Sequence, residues 1–209
     1  MNAAKATWLA VGAVATLVVL GGCGVAQEAE RGGTVQLPDG TSLDSASLAG
    51  GKALQDAALR GDLSIVRALA QGGADLDEPN DFGSSPLVNA VLRSHEDVAA
   101  FLLERGADPN RRNANGVPPL HEAATNGAAG IARLLIEHGA RVGAIDIQGR
   151  TALHYAARAG QLEVTRVLLT HAADPAALDF QMQLPLDAAE ASDAPGAESV
   201  AALLRNAEQ

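Results

Sequence analysis

From residue 51 onward the apolar positions of the chain recur at a fixed step. Leu54, Leu87, Leu120, Leu153 and Leu186 lie 33 residues apart, as do Ala57, Ala90, Ala123, Ala156 and Ala189. Gly83, Gly116 and Gly149 keep the step. So do Gly73-Ala74-Asp75, Gly106-Ala107-Asp108, Gly139-Ala140-Arg141 and Ala172-Ala173-Asp174. A period of this length means stacked units, each burying its apolar face on its neighbours. Within a unit, Pro presets the first turn of a helix, and Ala, Leu and Val at helical spacing fill one face. Gly127 or Gly160 permits a tight turn, a second helix such as Leu162 to Thr170 follows, and Gly106 or Gly139 caps it. Five units are expected, at about 51–78, 79–111, 112–144, 145–177 and 178–209. The first lacks a leading hairpin and the last is interrupted from Ser192 to Gly196, as end units facing water can be.

Upstream the pattern changes. Residues 25–52 are rich in Gly, Ser, Thr, Ala and Asp without a helical apolar period, which reads as a linker. Inside it, Thr34-Val35-Gln36-Leu37 and Thr41-Ser42-Leu43 flank Pro38-Asp39-Gly40, turn chemistry that can close a small hairpin over 34–43. Before the linker, Lys5 and the free amine precede an apolar run from Trp8 to Leu20, followed by small residues. That is the layout of a signal peptide over 1–22 with a tether over 23–50. The run would span roughly 20 Å as a helix, short of a bilayer core of ~30 Å, although a signal-anchor helix helped by the glycines is the alternative. Lys5 on one side and Glu28 and Glu30 on the other leave the N-terminus cytoplasmic and the rest exported under either reading.

Two resemblances follow from these residues. Leu20-Gly21-Gly22-Cys23 resembles the lipobox of bacterial lipoproteins. It implies cleavage before Cys23 and lipid on its sulfur and new amine, enough acyl chains for stable anchoring. Gly24 after the cysteine implies outer-membrane sorting, with the protein in the periplasm; the inner membrane belongs to the signal-anchor alternative. Thr151-Ala152-Leu153-His154-Tyr155-Ala156, with looser copies at Val117-Pro118-Pro119-Leu120-His121-Glu122-Ala123 and Ser85-Pro86-Leu87-Val88-Asn89-Ala90, resembles the T-P-L-H-x-A mark of ankyrin repeats. This resemblance covers Gly51 to Gln209 and implies an all-α repeat solenoid, a β-turn or hairpin plus two antiparallel helices per unit.

The ankyrin resemblance also assigns roles. His121 and His154 would order the hairpins through hydrogen bonds, with Thr151 serving His154. Pro118 stands where threonine is usual, so the network at His121 is expected to be the weaker. Partners would be met by the hairpin tips and the exposed face of each first helix, forming a concave strip. Its residues are Asp81, Phe82, Ser84, Leu92 and Arg93, then Ala114, Asn115, Val117, Thr125 and Asn126, then Ile147, Gln148, Arg150, Tyr155, Arg158 and Ala159. Phe82, Leu92, Val117 and Ile147 are apolar at positions expected to be exposed. They either anchor a partner or pack on the adjacent hairpin. The expected partner is another protein met by a monomer. Such periplasmic proteins act beside enzymes, either supporting a stress-response enzyme or blocking a toxin as an immunity protein.

Composition then narrows the chemistry. Of 209 residues, 15 are Lys or Arg and 25 are Asp or Glu, giving a net charge of −10 that repels nucleic acid. Apolar residues make up 47% but aromatic ones only 2%, so the core must be aliphatic, and close Ala packing makes rings unnecessary. Cys23 is the single cysteine, which excludes an internal disulfide and a multi-cysteine zinc cluster. Arg105, Arg111 and Arg112 form one basic cluster, which either receives an acidic epitope or balances Glu104 and Asp108. His121-Glu122-Ala123-Ala124-Thr125 departs from H-E-x-x-H at the second imidazole, so no metal grip is expected. His95, His138 and His171 read as solvated or capping groups at helix edges. No catalytic grouping, cofactor or metal site is expected. An envelope hydrolase using His121 and Glu122, and a purely structural membrane tether, are the rival readings.

Overall fold

The computed structural model describes residues 34–36, 42–44 and 52–207. The signal sequence and Cys23 lie outside them. Strands β1 (Thr34–Gln36) and β2 (Ser42–Asp44) pair antiparallel, with Val35 opposite Leu43. They belong to a compact unit, 1–49, separate from 50–209.

The second unit holds ten helices among the described residues, in five pairs. They are α1 (Lys52–Arg60) with α2 (Leu63–Gln71), α3 (Pro86–Leu92) with α4 (Glu96–Glu104), and α5 (Pro119–Asn126) with α6 (Ala129–Glu137). Then come α7 (Ala152–Arg158) with α8 (Leu162–Thr170), and α9 (Pro185–Glu190) with α10 (Ala197–Ala207). First helices touch first helices along the row, and second helices touch second helices, so two helical layers run the length of the stack. This is the all-α repeat solenoid. No helix among the described residues is long and apolar enough to cross a membrane.

Each helix has 6 to 11 residues, too short to persist alone in water, and is held by what it buries. The layer between the helices is built from the repeating positions. Leu54, Leu87, Leu120 and Leu153 are at most 1% exposed, and Ala57, Ala90, Ala123 and Ala156 are wholly buried. The second helices contribute Leu102, Leu135 and Leu168 at one 33-residue step and Val98, Ile131 and Val164 at another, all buried. Alanine at the closest approach lets neighbouring first helices pack with only a methyl group between them, which fits the near-absence of rings from the core. Leu186 breaks the series by being only half-buried, since it lies in the last helix pair among the described residues.

The helix starts are local. Pro86, Pro119 and Pro185 open α3, α5 and α9, and the Ser85 hydroxyl caps α3 by accepting from Val88 N at 3.3 Å. Gly127, with φ 70°, ends α5 in the left-handed conformation.

Candidate functional site

The hairpins that precede α3, α5, α7 and α9 are each tied by one side chain. Asn80 Oδ1 accepts from the backbone N–H of Phe82 and Ser84, both at 2.9 Å. Asn113 does so for Asn115 and Val117, Asp146 for Gln148 and Arg150, and Asp179 for Gln181 and Gln183, all at 2.8 to 3.0 Å. Asparagine and aspartate are suited to this because a short side-chain oxygen imitates a turn carbonyl. Our sequence reading missed these four residues, although their own 33-residue spacing signals them. They fix the backbone under six of the expected partner-binding positions.

Adjacent hairpins are also joined to each other. Ala114 N donates to Phe82 O at 3.2 Å, Phe180 N to Gln148 O at 3.0 Å, and Arg112 Nη1 to the carbonyls of Gly116 and Ile145. The approach is so close that a Cβ on Gly149, where φ is 78°, would lie 2.5 Å from the Phe180 ring. Gly83 and Gly116 meet Ala114 and Ile147 in the same way. In the last hairpin this position is Met182, which keeps a positive φ of 61° and is 72% exposed.

Beneath the hairpins lie two buried imidazoles. His154 Nε2 donates to the carbonyl of Gln183 at 3.1 Å, one unit onward. Its Nδ1 receives both the backbone N–H of Thr151 at 3.2 Å and the Thr151 hydroxyl at 2.9 Å. His121 likewise donates from Nε2 to Arg150 O at 2.9 Å, but its buried Nδ1 has no partner. Burial pushes the His121 pKa down to about 4, against the raising effect of the Arg150 carbonyl. These histidines latch one unit to the next. The His121 ring also meets Tyr155 edge-on at 5.3 Å.

Of the strip expected from the sequence, Asp81, Phe82, Leu92, Arg93, Asn115, Thr125, Asn126, Ile147, Gln148 and Arg158 are exposed, as is Ala114. Ser84, Val117, Arg150, Tyr155 and Ala159 are half-buried. Val117 therefore corrects the expectation of an exposed apolar residue, because it sits where the hairpin turns back into α5. Asn126 is only partly available, since its Nδ2 donates to Leu92 O at 3.1 Å and so seals the end of α3. Four exposed apolar residues went unnoticed in the sequence: Ile145, Leu178, Phe180 and Met182. The last three lie in the degenerate end unit, although Leu178 and Phe180 follow Ile145 and Ile147 by one repeat.

The fourth unit has the densest chemistry. Arg150, Tyr155, Arg158, Asp179 and Asp187 border a concavity of about 130 Å³ between α7 and α9. Tyr155 donates its hydroxyl to Asp146 Oδ2 at 2.7 Å, and Arg150 Nε meets Asp179 Oδ2 at 3.3 Å. Burial raises the tyrosine pKa to about 12, helped by Asp146. Burial also pushes both carboxyls up, but the hydrogen bonds that each accepts outweigh it and hold them below the usual range.

The remaining titratable groups have structural positions. His95 Nε2 meets Leu59 O, while His138 and His171 meet the carbonyls of Leu134 and Val167 from Nδ1. Burial raises the pKa of Glu122, whose Oε1 accepts from Asn113 Nδ2 at 3.4 Å. Among the described residues no group of three or more His, Cys, Asp or Glu could hold a metal ion. The basic run is dispersed: Arg105 and Arg67 flank the Phe101 ring at 4.9 and 5.2 Å, and Arg112 is spent on hairpin carbonyls.

A family model described as ankyrin repeats in three copies matches residues 25–113 and 106–179. No curated protein matches the chain.

Proposed function

The chain belongs to the ankyrin-repeat family, and from that premise we propose that it is an exported, lipid-anchored protein-binding module of a bacterial envelope. The observation that carries the binding role is the contrast between the two faces of the first helices. Inward positions repeat Leu and Ala, whereas outward ones change at every unit, from Leu92 to Thr125 to Arg158 and from Arg93 to Asn126 to Ala159. The fold places no such demand on the outward face, so its chemistry is free to match a partner. Hairpins tied at Asn80, Asn113, Asp146 and Asp179 hold that face in place before contact, which lowers the entropic cost of binding. Export and anchoring rest on the Lys5 to Cys23 segment and its lipobox resemblance.

Supporting an envelope enzyme and blocking a toxin both use this surface. Blocking requires that it cover the toxin's active site; support tolerates docking elsewhere on the enzyme. Affinity capture from an envelope fraction, comparing the natural chain with a Phe82→Ala, Leu92→Ala, Arg158→Ala variant, tests the surface. All three residues are exposed. An unchanged set of captured proteins would sink the assignment. For the anchor, Cys23→Ser should abolish labelling by a radioactive fatty acid; continued membrane retention without label would favour a helical anchor.

A further inference from the structure

The fourth unit differs from its neighbours at three outward positions that lie together. At the place of Arg150 the second, third and fifth units carry Ser84, Val117 and Gln183. Tyr155 corresponds to Asn89, Glu122 and Ala188, and Arg158 to Leu92, Thr125 and Ala191. In this unit the Arg158 guanidinium lies over the Tyr155 ring, and Arg150 borders the same concavity, which holds about one side chain.

We propose that this concavity receives an acidic side chain of the partner protein, seated between Arg150 and Arg158 over Tyr155, with a neighbouring apolar side chain lying on Phe180. The inference rests on the reading of the outward face as the partner surface and adds the chemistry of what docks there. Arg158 is exposed and its guanidinium lies 5.9 Å from the Tyr155 ring centre, with no carboxylate paired to it among the described residues. Among the described residues Arg150 is held through Nε, and its two Nη groups are the atoms offered to a ligand.

The acids nearby do not fill this role. Asp146 gives Oδ1 to the N–H groups of Gln148 and Arg150 and Oδ2 to Tyr155. Asp179 gives Oδ1 to Gln181 and Gln183 and Oδ2 to Arg150. Both are thus turned into the hairpins. Asp187, on the α9 rim, is exposed and accepts from Leu184 N, so of these three acids, all of them charged, it is the one that meets an incoming carboxylate most directly. Phe180 adjoins the pocket: it follows Asp179 in sequence, lies over Gly149 beside Arg150, and is 70% exposed. Arginine and tyrosine beside an exposed ring make the composition in which binding energy concentrates. A bidentate guanidinium–carboxylate contact would add orientation.

The test is selection of a displayed library of random twelve-residue peptides on the full chain, followed by affinity measurement of the enriched sequences as free peptides. The expected peptides carry Glu or Asp next to an aliphatic or aromatic residue. Binding should weaken at least tenfold with Arg158→Gln or when the peptide's own acid is changed to its amide, and strengthen severalfold with Asp187→Asn. Unchanged circular dichroism and melting of Arg158→Gln would show that the fold is intact. Enriched peptides without an acid, or affinity within twofold of the natural chain for Arg158→Gln, would overturn the proposal. Peptides lost with Phe82→Ala or Leu92→Ala but kept by Arg158→Gln would overturn it while leaving the partner surface standing. Binding indifferent to all three variants, or no enrichment at all, would overturn both.

Discussion

Pro118 faces His121 with no hydrogen to give, whereas Thr151, one repeat onward, gives His154 two. The proline nitrogen carries no proton and its ring no hydroxyl, so the buried Nδ1 of His121 stays unpaired. Pro118 has φ −71° and ψ 154°, close to the −85° and 167° of Thr151, so threonine fits there without strain. Pro118→Thr should stabilise the protein by about 1 kcal/mol, the gain from satisfying a buried acceptor less the lost stiffening of the unfolded chain. Thermal denaturation should show a rise of about 2–4 °C. A fall would mean that the orphan nitrogen is not the limiting defect.

Acidification should act first through His121. Its folded pKa of about 4 lies below the ordinary 6.5, so between these values the unfolded chain binds a proton that the folded chain refuses. Stability therefore rises with pH across that window and falls on acidification, by at most about 3 kcal/mol in total. Asp146 and Asp179, held below the usual range, lose their contribution only at lower pH, as they protonate through their folded pKa values. Urea midpoints at pH 7, 6 and 5 should decline steadily, and His121→Gln should flatten the decline. An equally steep slope in the variant would reassign the effect to another group.

The hairpin anchors predict an unequal pair of substitutions. Asn80 and Asn113 already do with an amide oxygen what Asp146 does with a carboxylate. Asp146→Asn should therefore cost under about 1 kcal/mol. Asp146→Ala orphans two backbone N–H groups and the Tyr155 hydroxyl and should cost about 2–3 kcal/mol. Chemical denaturation of the two variants side by side decides this, and equal losses would show that the anchoring bonds contribute little.

Close approach and backbone conformation can be separated with two glycines. Gly106 and Gly149 both have positive φ, but a Cβ at Gly106 meets nothing within 4 Å while one at Gly149 meets Phe180. Gly106→Ala should cost about 1 kcal/mol and Gly149→Ala about 2 kcal/mol. Similar losses at both sites would remove steric contact with the next hairpin as a constraint.

What the sequence disclosed and what it hid divide along one physical line. Leu120, Ala123 and their equivalents could be read because every interior unit imposes the same burial on them. The second helix Leu162–Thr170 was visible because its apolar spacing and flanking glycine are local signals. Met182 is hidden because it stands where the other hairpins carry glycine, whereas Phe180 keeps the step of Ile147 and could have been read from it. The half-burial of Val117 and the pairing of Arg150 with Asp179 depend on how one hairpin leans on the next. Spacing along the chain carries no record of that lean.

Met182 changes what the last described hairpin presents. At Gly83, Gly116 and Gly149 the next hairpin occupies the space that a side chain would need, and only glycine admits it. A methionine there puts its own side chain where a further hairpin, or the leading edge of another molecule, would have to settle. The last described hairpin thus presents a thioether where the three before it present bare backbone, so the edge that receives a neighbour elsewhere is here an apolar projection into solvent.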